Sequence, residues 1–172
     1  MNKIIFLLFI AAFFLDFSFI PNLFGSELSW PYAVLSLLIA IFLVNKNTQK
    51  NIGWGILAAL ALNILLPLNF FGYVVIVTII WGVIYFLENV FFNEGQSYLK
   101  SNFSFIINFV LFGALFFIGQ YIQAKILGET IFSLRDINWW IFSLKLFIGI
   151  IIYNLSYRIV YRLCGKNTLV LK

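Results

Sequence analysis

The stretch that decides the fold is residues 70–92, which read FFGYVVIVTIIWGVIYFLENVFF. It carries a single charged residue, Glu88, and lies between the polar residues Asn69 and Asn93. A helix needs about 20 consecutive apolar residues to cross the hydrocarbon core of a bilayer. Residues 70–92 are therefore predicted to form a membrane-spanning helix.

Five further apolar runs flank this helix, separated by short polar stretches. The predicted spans are residues 4–20, 31–44, 52–66, 70–92, 103–124 and 139–161. The second and third are short, since about 14 and 15 residues rise only about 21–23 Å against a core of about 30 Å. Each crosses with tilt or in locally thinned lipid, or is re-entrant. The first run lacks a small-residue cleavage site, so we expect a mature span rather than a signal peptide.

The composition of the chain leads to the same class. Of its 172 residues, 63% are hydrophobic and only 10% are charged. A soluble domain is about half apolar and a quarter charged. We therefore expect an all-α integral membrane protein, with residues 1–172 forming a single bundle of about six transmembrane helices. In this bundle, helices two and three are short.

The residue types present exclude most familiar catalytic sites. The chain has no histidine and a single cysteine, Cys164, so His/Cys metal sites, Ser-His-Asp triads and Cys-His pairs are excluded. No phosphate loop, dinucleotide fingerprint or zinc-protease helix is found. We expect no enzyme activity, no cofactor and no metal. The net charge of +5 indicates loop charge rather than a nucleic-acid surface.

Basic residues predict the orientation of the bundle. Six spans place both termini on one side, and the positive-inside rule selects the cytoplasm. The inner or juxtamembrane set is Lys3, Lys46, Lys50, Lys100, Arg158, Arg162, Lys166 and Lys172, against Lys125 and Arg135 outside. Candidate cytoplasmic contacts, with partners or with anionic lipid, are Lys46, Lys50, Arg158, Arg162 and Lys166.

Polar side chains within the predicted spans are the candidate functional residues, because they are costly in hydrocarbon. They are Asp16, Asn63, Glu88, Asn108, Gln120, Gln123, Lys145 and Asn154. The amides are expected to associate helices rather than to bind a substrate. Asp16 and Lys145 lie at similar depths, which predicts an ion pair; alternatively, each extends separately to the outer interface. Glu88 either extends to the inner interface or pairs with Arg158.

Two other expectations concern packing. Gly55 and Ala59 are spaced for close approach of another helix. The 22 phenylalanines are expected to be lipid-facing bulk rather than a ligand cage.

Several stretches of the first half occur in an order typical of a known family. They are Phe14-Leu15-Asp16-Phe17-Ser18-Phe19-Ile20-Pro21, Trp30-Pro31, Gly53-Trp54-Gly55-Ile56-Leu57, Ala61-Leu62-Asn63-Ile64 and Pro67-Leu68-Asn69-Phe70-Phe71-Gly72. Over residues 1–92 the chain resembles MreD, the rod shape-determining membrane protein of bacteria. It departs from that pattern at Asn63, where many members are acidic, and at Tyr32, where Asp is common.

The resemblance implies a non-enzymatic subunit of the cell-wall elongation machinery in the bacterial cytoplasmic membrane. Its implied partners are MreC-like proteins and the membrane-bound cell-wall synthases, besides membrane lipid. No nucleic acid or small-molecule substrate is expected. The alternative is the substrate-binding membrane subunit of an energy-coupling-factor vitamin transporter, which has a similar size and six-helix build. Such a subunit would enclose a pocket lined by Trp139, Trp140, Gln120 and Gln123.

Overall fold

The computed structural model describes residues 2–24, 30–45, 48–66, 68–91, 98–127 and 139–164, and all elements in these residues are helical. The elements are α1 (Asn2–Phe14), a π-helical turn (Leu15–Phe19), α2 (Ile20–Phe24), α3 (Tyr32–Val44), α4 (Thr48–Leu65), α5 (Phe70–Phe91), α6 (Tyr98–Leu127) and α7 (Trp139–Cys164). The first three follow one another without a break and are called the N-terminal helix below. The expected all-α class is confirmed, with six helices in this part of the chain.

Three of these helices are long and apolar enough to cross a membrane, namely Lys3–Leu23, Ser101–Leu127 and Trp140–Leu163. Two shorter apolar helices cover Tyr32–Val44 and Phe71–Leu87. The chain is thus compatible with a membrane protein. Helix α4 begins at Thr48 rather than at the predicted residue 52, because the polar residues before the apolar run form its first turn.

Helix α3 is the centre of the structure. All its residues are buried, and it contacts the N-terminal helix, α4, α5, α6 and, most extensively, α7. A helix that is apolar on every side is typical of such a position, since no face of it favours water. The other helices therefore pack around a short central one.

Phenylalanines of α6 pack against α7 and against Trp30, which precedes α3, and for these residues the expectation of lipid-facing bulk was wrong. Phe105, Phe109 and Phe112 are fully buried. The Phe105 ring stacks on that of Tyr153 in α7, with centroids 4.3 Å apart. At Gly149 of α7 an added Cβ would lie 2.9 Å from the Phe109 ring, so α7 approaches these rings closely because Gly149 has no side chain.

Close approach also occurs at Gly55 in α4, as its spacing predicts. An added Cβ there would lie 3.1 Å from Val77 of α5 and 3.5 Å from Phe42 of α3. Ala59, one turn later, is fully buried. These small residues let α4 pack near both neighbours.

Candidate functional site at the amino end of the buried helix

The amino end of α3 needs hydrogen-bond acceptors from elsewhere in the protein. The first four N–H groups of any α-helix have no partner within the helix. Helix α3 follows Pro31, which has no N–H, and its first turn is buried. Because unpaired backbone groups are costly in an apolar surrounding, this end requires a polar partner.

Asp16 supplies that partner from the N-terminal helix. Its carboxylate accepts hydrogen bonds from the Ala33 N–H, 2.9 Å from both oxygens, and from the Val34 N–H at 2.8 Å. The side chain lies in the π-helical turn and is 1% exposed. A negative charge at a helix amino end also interacts favourably with the helix dipole. Asp16 therefore caps α3 and links it to the N-terminal helix.

The expected ion pair between Asp16 and Lys145 was wrong, because each residue has another partner. Asp16 binds the α3 amides, while the Lys145 Nζ lies 5.0 Å from the centroid of the Trp30 ring. The alternative for Asp16, extension to the interface, is also wrong, since the carboxylate is buried. Position along a helix fixes the depth of a residue in the membrane but not the direction in which its side chain points, and residue types do not reveal which backbone N–H groups need an acceptor.

Trp30 fills the space between the start of α3 and helix α6. Its ring meets Phe112 and Phe116 edge-on, each with a centroid separation of 5.5 Å. The residue is 7% exposed, and its Nε1 has no hydrogen-bond partner among the described residues. Sequence reasoning did not select Trp30 as a site residue, although it directly precedes Pro31 and the apolar run of α3.

The carboxyl end of α3 is closed by a second polar contact that the sequence analysis missed. Asn45 Nδ2 donates to Asn51 Oδ1 at 2.9 Å, and Asn51 Nδ2 donates to the Asn45 carbonyl at 2.8 Å. Asn51 lies in the first turn of α4 and is 4% exposed. A side chain from a neighbouring helix thus hydrogen-bonds the backbone at each end of α3, Asp16 at the amino end and Asn51 at the carboxyl end.

The predicted amides do not form a joint site. Asn108 is fully buried and Asn154 partly so, and each donates to a carbonyl one turn back in its own helix, Ser104 at 2.7 Å and Ile150 at 2.9 Å. Asn63 is exposed. Gln120 and Gln123 are partly buried on α6.

A hydrogen bond between α6 and α7 comes instead from residues outside the prediction. The hydroxyl groups of Ser101 and Tyr153 lie 2.6 Å apart and are buried. Both residue types are common in apolar helices, so nothing in the sequence distinguished them.

The basic candidates in the described part of the chain lie near helix ends. Lys50 is exposed in the first turn of α4, and Arg158 and Arg162 are exposed near the end of α7. Lys46, Lys166 and the side chain of Glu88 lie outside the described residues. The possible pairing of Glu88 with Arg158 therefore stays a prediction.

The polar side chains at this site act as hydrogen-bond partners of the buried helix backbone. Within the residues described, no group of three His, Cys, Asp or Glu side chains is placed to hold a metal ion. The one carboxylate buried at the site is occupied by backbone N–H donors. No protein-family model, no curated protein and no solved structure matches the chain.

Proposed function

We propose that the chain is a non-enzymatic membrane scaffold subunit of the bacterial cell-shape and cell-wall elongation machinery, similar to MreD. In this proposal six helices cross the cytoplasmic membrane, both termini are cytoplasmic, and MreC-like and cell-wall synthase proteins are the partners. One observation carries it. Asp16 and the Trp30-Pro31 step, which are parts of the resemblance, lie together at the amino end of α3.

This juxtaposition gives the two separate motifs one physical role. The Trp30-Pro31 step begins a helix whose amides are buried, and Asp16 from the preceding helix provides the acceptor for them. A buried helix start without such an acceptor would leave unpaired N–H groups. The motif thus supports a rigid helical frame, which a scaffold requires.

Capping at both ends also supports a crossing by a short helix. The 13 residues of α3 rise about 20 Å, less than a bilayer core of about 30 Å. Because Asp16 accepts from amides at one end and Asn51 donates to the Asn45 carbonyl at the other, these backbone groups do not have to reach the headgroups for their hydrogen bonds. The surrounding protein supplies hydrogen-bond partners that the membrane interface would otherwise supply.

The outer faces of α4 and α5 are the proposed docking surface. On α4, exposed apolar residues recur every fourth position, and α5 adds a second set beside it. The two sets are Ile52, Ile56, Leu60 and Ile64 on α4, and Phe71, Val75 and Ile79 on α5. Transmembrane helices associate through such lateral surfaces by close packing. We assign them to contact with neighbouring membrane proteins.

Purification of the full chain from native membranes in a mild detergent tests the proposal. Quantitative mass spectrometry of the eluate is expected to find an MreC-like protein and a cell-wall synthase enriched over a second tagged membrane protein of similar abundance. Small molecules are extracted from the same sample. A stoichiometric vitamin, together with an energy-coupling transporter subunit, would overturn the scaffold assignment in favour of the transporter alternative.

A further inference from the structure

Helix α7 has one exposed face that runs along most of its length. This face, called the outer α7 face below, comprises Trp140, Leu144, Phe147, Ile151, Leu155, Arg158 and Arg162. At about 100° per residue these positions lie within an arc of about 80°. The face is apolar from Trp140 to Leu155 and ends in the two arginines, and α7 contains no acidic residue.

The two arginines lie where the helix leaves the hydrocarbon core. Trp140, at the other end of the face, is 78% exposed, as is typical of a residue at a membrane interface. Arg158 and Arg162 follow it by about 27 and 33 Å along the helix. Because a bilayer core is about 30 Å thick, the arginines are placed at the opposite interface. Tyr161, which is 45% exposed, adds an aromatic side chain at the same level.

The spacing of the arginines suits a single phosphate group. They are one helical turn apart and both are exposed. The Cβ atoms of residues four apart on a helix lie about 5–6 Å from each other, so both long side chains can reach one anion. A guanidinium group donates paired N–H bonds to phosphate oxygens, and these charge-assisted bonds are stronger than neutral ones.

The apolar positions continue from the arginines toward the middle of the membrane. Leu155, Ile151 and Phe147 are 57%, 49% and 62% exposed and follow one another at intervals of one turn. A cytoplasmic protein would reach the arginines but not these residues, because they lie at the depth of the core. A phospholipid reaches both, since its phosphate lies at the interface and its acyl chains extend into the core.

We propose that the outer α7 face binds an anionic phospholipid, with the phosphate between Arg158 and Arg162 and an acyl chain along Leu155, Ile151 and Phe147. Charge complementarity selects an anionic lipid over a neutral one. The sequence leaves open whether these arginines contact protein partners or lipid, and the apolar face that leads to them favours lipid. This inference is independent of the scaffold proposal, whose docking surface lies on α4 and α5.

Native mass spectrometry of the detergent-solubilised full chain tests the site. The protein is titrated with phosphatidylglycerol, with diacylglycerol of the same acyl chains, and with inorganic phosphate. One phosphatidylglycerol is expected to stay bound at activation energies that remove diacylglycerol. Equal retention of the two lipids would overturn the proposal. Displacement of the phospholipid by millimolar inorganic phosphate would also overturn it and identify free phosphate as the ligand.

Variants locate the binding at the arginines. We expect Arg158→Gln with Arg162→Gln to weaken retention of phosphatidylglycerol about tenfold, and either change alone to weaken it severalfold. Replacing both arginines by lysine keeps the charges and should bind more tightly than the double glutamine variant, which separates loss of the site from loss of the fold. Lys3→Gln and Lys125→Gln, which remove exposed lysines of other helices, are the matched controls. Equal binding by the double glutamine variant and these controls would overturn the proposal.

A phosphatidylglycerol with a photoreactive group in its acyl chain tests the apolar part of the face. After illumination of the purified protein, peptide mapping is expected to find adducts in residues 147–155, and fewer of them in the double glutamine variant. Adducts confined to other helices would place the lipid elsewhere and contradict the proposal.

Discussion

Removing the carboxylate of Asp16 should destabilise the whole bundle, because it leaves the start of the central helix without acceptors. In the Asp16→Ala variant the Ala33 and Val34 N–H groups lose their partner. The site is 1% exposed, so water cannot readily replace the carboxylate. The Asp16→Ala substitution should therefore lower the stability of the whole bundle rather than cause only a local rearrangement.

The size of the effect follows from the two amides. Each buried N–H left without an acceptor costs about 1–3 kcal/mol, which gives about 2–6 kcal/mol for Ala33 and Val34 together. Folded proteins are stable by only about 5–15 kcal/mol. For a chain of this length, about 4 kcal/mol corresponds to a fall in Tm of about 8–16 °C. Asp16→Asn keeps one acceptor oxygen and should fall between wild type and Asp16→Ala.

Thermal stability is measured by heating the purified protein in detergent and recording the monodisperse fraction by size-exclusion chromatography. Asn63→Ala is the matched control, because it removes an exposed amide from a neighbouring helix. We expect the order of Tm to be wild type and Asn63→Ala, then Asp16→Asn, then Asp16→Ala. If Asp16→Ala unfolds within about 1 °C of Asn63→Ala, Asp16 does not hold the helix and the reasoning fails.

The remaining predictions use the same assay. Asn51→Leu should lower stability by about 1–3 kcal/mol, because the partly buried Asn45 carbonyl at the carboxyl end of α3 loses its donor; an unchanged Tm would exclude this second cap. Tyr153→Phe should cost about 1 kcal/mol by removing the hydroxyl bond to α6, and no loss would mean that the bond is energetically neutral. Gly149→Ala should destabilise by about 1–3 kcal/mol through contact with the Phe109 ring, whereas Gly53→Ala, where an added Cβ meets nothing, should be neutral or stabilising. Equal behaviour of the two glycine variants would contradict the packing described between α6 and α7.

The helices that sequence patterns located well are those with sharp polar boundaries. The predicted run 31–44 corresponds to α3 at Tyr32–Val44, because Pro31 and Asn45 bound the apolar stretch. Complete burial of α3 also agrees with its even apolarity, although the sequence could not show which helices enclose it. That depends on the packing of side chains that are far apart in sequence.

The partners of polar residues were harder to predict, for a physical reason. The sequence offers Asp16 either a lysine partner or the membrane interface, but its actual partners are backbone N–H groups that no residue type reveals. Asn51 looked like part of a polar loop, and its role as a cap arises only because α4 turns back on the end of α3. Hydrogen bonds to the backbone depend on the path of the chain, so residue identity alone does not specify them.

Site-specific photo-crosslinking in native membranes tests the scaffold claim most directly. A photoreactive residue is placed at Ile56 or Leu60 on α4 and at Val75 on α5, with Ile151 and Leu155 of α7 as exposed comparison positions. The account predicts adducts with MreC-like or cell-wall synthase proteins from the α4 and α5 positions. Adducts with an energy-coupling transporter subunit, and none with a wall-synthesis protein, would contradict it.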